Sequence, residues 1–433
     1  MIFKNVLPKD LTSFSKIFVS LKSRNYRLYF TGQSISLIGT WMQNVALSWL
    51  VYRLTGSVFL LGLVGFTSQI PTFILSPFTG VLVDRFNRLR IMILAQISFM
   101  VQALIMTLLV LFNVVQVWHI VGLSLIFGII SSFDAPARQS LVIDLIGRPE
   151  DLGNAIALNS AIFNGARLIG PAVAGIAIAI VGEGICFLLN TLSFIAVIYA
   201  LLKISIPAKK VVIKESNLKK IFTEGLKYTF GSVPIRRLLM QLAVLSLVAM
   251  PFIVLLPAYA KDILHGNADT LGFLMSALGA GALTGAIFLA ARKSILGLGR
   301  VISLFTTMLG SMIVLASFSD KTIFSLIFFY IGGLSMILSI AAINTMIQTI
   351  ADEDKRGRVM SFYAMALMGT TPIGNLLAGT IASGIGIPST LLTGGAITII
   401  AGLWFEYDRK KLRKFIHPIY ISKGIIPEIP VDL

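Results

Sequence analysis

The chain has 433 residues, of which 56% are AVILMFWYC and 13% are charged, the latter about half the share of a soluble domain. That excludes a water-soluble enzyme and a disordered chain, because neither carries this much apolar surface on so few charges. The net charge of +17 lies between apolar runs, which fits membrane orientation and speaks against a nucleic-acid partner. A single cysteine, Cys186, and three scattered histidines, His119, His265 and His417, offer neither a disulfide framework nor a metal site.

Residues 1–27 contain an amphipathic stretch in which Leu11, Phe14, Ile17, Phe18 and Leu21 share a face ringed by Lys9, Lys16 and Lys22. Spanning a bilayer takes about 20 apolar residues, and runs of that kind follow at 28–52, 58–83, 91–112, 117–146, 154–180 and 185–202. A basic interruption at 203–237 carries a second amphipathic stretch, Leu218, Ile221, Phe222, Gly225 and Leu226. Six more runs cover 238–259, 271–291, 301–318, 323–350, 359–382 and 390–405, before a basic tail at 406–433. The expected fold is an all-α membrane protein with twelve transmembrane helices in two pseudo-symmetric six-helix bundles, 28–202 and 238–405. Both amphipathic stretches read as helices resting on membrane lipid.

Lys and Arg fill one set of alternate loops, from the N-terminus through Arg85, Arg88, Arg90 and Arg148 to the tail. The other loops hold only Arg53, Lys261 and Lys321, and two arginines, Arg138 and Arg167, fall inside spans. The positive-inside rule then puts both termini in the cytoplasm. A monomeric, multi-pass protein of the bacterial inner membrane is expected.

The halves repeat in parallel at an offset of 204 residues. Gly170-Pro171-Ala172-Val173-Ala174-Gly175 follows a helix start at Asn154-Ala155-Ile156-Ala157, and Gly374-Asn375-Leu376-Leu377-Ala378-Gly379 follows Arg358-Val359-Met360-Ser361. Two like halves about an axis along the membrane normal, with a site between them, form a transporter architecture. In span 5, Gly165, Gly170, Pro171 and Gly175 predict a bent helix and a tight crossing.

Between spans 2 and 3 the chain reads Gly80-Val81-Leu82-Val83-Asp84-Arg85-Phe86-Asn87-Arg88-Leu89-Arg90. This resembles the loop signature of the major facilitator superfamily, G-x-x-x-D-R-x-G-R-R/K. Asn87 stands in place of the second glycine, where its tolerance of positive φ would keep the turn, and Leu89 in place of a basic residue. The Gly-Pro run of span 5 is similar to the motif of antiporters in that superfamily. A finer match, Asp134-Ala135-Pro136-Ala137-Arg138-Gln139-Ser140 with Asn154, Asn159, Asn164 and Arg167, resembles the transmembrane secretion effector branch, which includes enterobactin and macrolide exporters. The resemblance implies a cytoplasmic gate. Gly80 would allow close packing, Asp84, beside Arg85, would face the positive N-terminal end of a helix in the other half, and Arg88 would pair with Asp144.

Ionisable groups at membrane depth cost roughly 2.5–3.5 kcal/mol each. At about 1.5 Å per residue, Asp134, Arg138 and Arg167 lie roughly 18, 12 and 20 Å from the basic ends of their spans. Two readings stand together: an ion-pair network pinning spans 4 and 5, and a site where Asp134 binds the coupling proton while the arginines attract an anionic group. A polar stripe in span 1, Gln33, Ser36, Thr40, Gln43 and Asn44, is echoed in span 2 by Gln69, Thr72, Ser76 and Thr79. Lipid satisfies no such stripe, so both are expected to line a central cavity. Asn159, Asn164, Asn344, Gln348, Thr371 and Asn375 extend the lining, with Trp41, Phe163, Met250 and Met365 as apolar contacts. For any single residue, a helix–helix hydrogen bond is the alternative.

No G-x-x-x-x-G-K-[ST] occurs, so no phosphate-cradling loop holds ATP, and neither H-E-x-x-H nor G-x-S-x-G is present. No cofactor is expected, with the proton gradient as energy source, and no enzyme activity. The expectation is a secondary active transporter, a proton-coupled exporter of a small amphiphilic organic molecule such as a siderophore or drug. Transport of a lipid-like substrate or uptake of a metabolite is the alternative.

Overall fold

The computed structural model describes residues 18–146, 148–205, 218–292 and 294–427. Leu11, Phe14 and Ile17 of the first amphipathic stretch lie outside the described residues. Local capping sets the helix starts. Ser23 and Ser57 accept from the amides of Tyr26 and Leu60 and open α1 (Arg24–Thr55) and α2 (Val58–Arg85). Asn87 accepts from the Arg90 amide at 3.1 Å and opens α3 (Arg88–Leu111). Its φ is −67°, so the residue replacing the loop glycine works as an N-cap and needs no left-handed turn.

The first half continues with α4 (Val117–Leu145), α5 (Leu152–Val181) and α6 (Glu183–Leu202). The central amphipathic helix is α7 (Leu218–Gly231). Then come α8 (Val233–Ile263), α9 (Ala268–Ala290), α10 (Leu298–Ser317) and α11 (Thr322–Ile350). Three consecutive pieces, Arg356–Ala364, Met365–Gly369 and Thr370–Ile385, make α12, and α13 is Ile387–Ser422. Among the described residues, ten helices are long and apolar enough to cross a membrane. The polar stripe of α1, and the arginines and polar residues Thr370, Thr371 and Asn375 of α12, leave those two less apolar and outside that number. The chain is also helical beyond two expected limits: α8 begins at Val233, inside the interruption, and α13 runs through much of the basic tail.

A proline inside a helix frees the carbonyl four residues back, and the fold uses those carbonyls. Pro136 frees that of Ser132, which accepts from Thr79 Oγ1 at 2.7 Å. Pro171 frees that of Arg167, where a Cβ on Gly279 of α9 would lie at 2.7 Å. Pro251 frees that of Leu247, against which Gly374 of α12 packs.

Within the first half α1 packs on α5 and α6, α2 on α4, and α3 on α4 and α6. In the second, α8 packs on α12 and α13, α9 on α11, and α10 on α11 and α13. The halves meet along two seams, α5 with α9 and α2 with α12. Both close on facing glycines. A Cβ on Gly175 would lie 3.0 Å from Gly272 Cα, and one on Gly379 would lie 2.9 Å from Gly62 Cα. Gly170 presses on α1 at Trp41 while its repeat partner Gly374 presses on α8 at Pro251. Gly182 and Gly386 both hold φ +81° and each donates its amide at 3.0 Å to a carbonyl four residues back. The repeat in the sequence is thus a repeat of backbone geometry and of contacts.

The two ends of the seams differ. Gly175 and Gly379 lie near the ends of α5 and α12 remote from the basic loops, where the halves touch. Toward the basic face, a Cβ on Gly80, Gly153, Gly165 or Gly357 would meet no described residue within 4 Å. Gly80 and Gly165, expected to permit close packing, therefore meet no described neighbour. The small residues that carry close approach are Gly62, Gly175, Gly272 and Gly379.

This packing is testable with a cysteine at Asn375, a buried residue that touches Gly65 across the α2–α12 seam. Asn375→Cys alone should react poorly with a membrane-impermeant maleimide, with native Cys186 buried. Adding Gly62→Leu, which drives a side chain into Asn375 O and Gly379 Cα, should raise labelling several-fold. Unchanged labelling contradicts the seam.

Candidate functional site

Asp134 and Arg138 sit one turn apart on α4, and Arg138 Nη2 lies 2.9 Å from Asp134 Oδ2. The other carboxylate oxygen, Oδ1, accepts from Gln96 Nε2 of α3 at 2.8 Å. Asp134 is buried within the first half. Gln96 was not singled out in the sequence; its signal was one of two amides, with Gln102, in a strongly apolar span, one helix away from the acid. Its own Oε1 is buried without a hydrogen-bond partner.

Arg167 is not part of this cluster. Its guanidinium lies over the Trp41 ring of α1, 5.7 Å from the centroid. Trp41 in turn meets the edge of Phe163, one turn from Arg167 on α5, at 5.9 Å. Phe163 is 44% exposed. Asn44, one turn along α1 from Trp41, and Gln69, on the α12-facing side of α2, are exposed as well.

The span 1 stripe needs correction. Gln33, Ser36 and Gln43 are buried between helices and do not line an opening. Gly32 and Gly39 bring α1 against α6, and Gln43 lies on that same face. It donates to Gln102 Oε1 at 3.2 Å and accepts from Asn190 Nδ2 at 2.6 Å. Here the polar residues satisfy one another across a helix crossing. Thr40 bonds back to Ser36 O, Thr72 donates to Gly128 O, and Asn159 accepts from Tyr26 Oη. Asn164 donates to Ser160 O, Gln348 bonds Asn344, Thr371 bonds back to Leu367 O, and Asn375 is buried in the seam.

At the basic face, Arg88 Nη1 lies 3.0 Å from Asp144 Oδ2, joining α3 to α4. Arg85 is exposed, and the side chain of Asp84 lies outside the described residues. Helix α7 is held against α12: Arg358 pairs with Glu224 at 2.9 Å, Phe230 meets the face or edge of Phe362 at 5.9 Å, and Tyr228 Oη accepts from the Asp352 amide at 3.1 Å. Burial pushes the Tyr228 phenol above its ordinary range. Of the expected apolar face of α7, Gly225 packs on Arg358 and Leu226 is exposed; the side chains of Leu218, Ile221 and Phe222 lie outside the described residues. At the opposite face, Tyr52 of α1 donates to Asp262 Oδ2 of α8, linking the two halves, and Lys261 Nζ lies 5.7 Å from the Tyr52 ring centroid. No sequence pattern announced that link, since its partners are 210 residues apart. Among the described residues no group of three or more His, Cys, Asp or Glu could hold a metal ion.

For Arg88 and Asp144, a double-mutant cycle on thermal unfolding with Arg88→Gln and Asp144→Asn should give a coupling of about 0.5–1 kcal/mol, the scale of a partly exposed pair. Additive effects would show that the contact contributes nothing.

A family model described as transmembrane secretion effector matches residues 15–431. The staphyloferrin A transporter of Staphylococcus aureus (strain NCTC 8325 / PS 47) is 23% identical over 390 residues, covering 89% of this chain and 97% of its own. The multidrug efflux pump Tap of Mycolicibacterium fortuitum is 26% identical over 389 residues, with 83% and 89% covered. Macrolide efflux protein A of Streptococcus pyogenes is 23% identical over 390 residues, with 87% and 95% covered. Among solved structures, a POT family transporter in complex with 5-aminolevulinic acid aligns with a TM-score of 0.71 at 11% identity, covering 90% of this chain and 96% of that one. A bacterial homologue of the iron transporter ferroportin in the inward-facing state aligns with a TM-score of 0.68 at 17% identity, covering 88% and 98%. At these identities the likeness is one of fold.

Proposed function

Because the chain belongs to the transmembrane secretion effector family of major facilitator transporters, we propose that it exports a small amphiphilic organic molecule by alternating access, driven by protons. It is a transporter and not an enzyme. The observation that carries alternating access is the asymmetry of the seams: facing glycines close one end, while Gly80 and Gly165, toward the basic face on two of the seam helices, meet no described residue within 4 Å. A binding site reached from one side at a time requires that arrangement.

In this proposal α1 and α12 complete twelve spans, both termini are cytoplasmic in a bacterial inner membrane, and the conformation described is inward-facing. The protein works as a monomer among lipids, with no cofactor. The relatives named as a multidrug efflux pump and a macrolide efflux protein favour outward transport of a comparable molecule.

Asp134 is the proposed proton carrier. Its carboxyl group is held by Arg138 and Gln96. Protonation would remove its charge and weaken the hold on Arg138, so that α4 senses the proton through one side chain. Spans 7 to 12, as read from the sequence, contain no Asp or Glu that could take this role.

The test is transport by the purified protein in proteoliposomes, with a pH indicator and a panel of fluorescent amphiphiles. Wild type should move substrate against an opposed proton flux. Asp134→Asn should lose proton-driven accumulation, at least tenfold in initial rate, and keep gradient-driven exchange of the same substrate. Full proton-driven transport by Asp134→Asn removes the residue from the coupling.

A further inference from the structure

Resting on the transporter reading, we propose that Arg167, Trp41 and Phe163 form the substrate subsite and that it selects an organic anion with a flat apolar body. The charges inside the spans are unevenly matched. Asp134 and Arg138 neutralise each other, whereas Arg167, among the described residues, has a ring contact and no ion pair. A cation at membrane depth without a counter-ion is costly and points to a ligand that supplies one.

Its place in the fold supports this. The carbonyl of Arg167 lies where α5 crosses Gly279 of α9, on the sealed part of the seam. One turn toward the basic face α5 is less enclosed: Gly165 meets no described residue within 4 Å and Phe163 is exposed. Arg167 therefore lies at the deep end of the opening, with Phe163 at its wall. The Trp41 ring, 5.7 Å from the guanidinium carbon, supplies no counter-charge, so the N–H donors of the guanidinium fork remain for a carboxylate. The Trp41–Phe163 edge contact presents apolar surface beside that charge, so a molecule with an oxyanion at one end and a ring at the other fits both. A cationic amphiphile of the same shape would meet an uncompensated like charge.

Binding of 2-naphthoate and of 2-naphthylmethylammonium, an isosteric anion and cation, to the purified full-length protein in nanodiscs tests the assignment by calorimetry. Wild type should bind the anion at least tenfold more tightly than the cation. Arg167→Gln should weaken the anion by about 10- to 100-fold, the usual range for losing a charged hydrogen-bonding partner, and leave the cation no weaker. Arg167→Lys, which keeps the charge and loses the planar fork, should fall between. Equal binding of both probes by wild type, absence of naphthoate binding, or a folded Arg167→Gln that binds naphthoate as wild type does would each overturn the assignment. The wild-type comparison stands even if Arg167→Gln aggregates. Flux of the same probes in proteoliposomes separates the two readings. Export of both probes irrespective of Arg167 leaves the transporter and removes the anion site; Arg167-dependent binding without gradient-driven flux leaves the site and removes the exporter.

Discussion

The arrangement depends on backbone-to-backbone approach at two pairs of glycines, Gly62 with Gly379 and Gly175 with Gly272. Lipid tails are as apolar as the helix surfaces, so burying apolar area does little to hold helices together in a bilayer, and close van der Waals contact takes over. Such contact falls away steeply with distance. A seam made this way is firm when closed and separates at the cost of few hydrogen bonds, that from Ser276 Oγ to Leu168 O at 2.9 Å among them. The two pairs occupy repeat-related positions, so one geometry serves both seams.

The placement of the charges follows from that economy. Arg53 with Glu183, Arg88 with Asp144, Asp134 with Arg138 and Arg237 with Asp408 each lie within one half. They stiffen the halves as units and leave the seams free to part. The polar link between halves described above is Tyr52 to Asp262, at the closed face. With Asp134 and Arg138 matched inside the first half, the net positive charge at depth falls to Arg167 beside the opening. Under the proposed function the proton site and the substrate site would be separate, and coupling would run through α4 and its neighbours, with no direct competition for one carboxylate.

Much of this was legible in the residues because it rests on local rules. Apolar length, loop charge, the 204-residue repeat and the loop signature are all near-neighbour patterns. The four-residue spacing of Asp134 and Arg138 put them on one helix face, where they are found. Legibility ended where the answer depends on which helix lies opposite. The Gln33, Ser36 and Gln43 stripe has the period of a cavity wall and of a hydrogen-bonded crossing alike; α6, with Asn190 facing Gln43, decides for the crossing. Gln96 needs its position opposite Asp134 to mean anything. Gly80 and Gly165 carry the composition of tight packing, yet packing at the basic face depends on conformation. The π-helical turn in α12 has no signature that periodicity exposes.

The central claim, that two rigid halves rock about glycine seams, is tested most directly by spin-label distances across both faces of one seam. Label pairs at Ser57 and Ser383 report on the closed end of α2–α12, and pairs at Phe86 and Gly357 on the open end. The account predicts a short distance for the first pair in the resting state and a reciprocal response, in which conditions that lengthen one pair shorten the other. Two pairs that stay fixed, or that lengthen and shorten together, would contradict it.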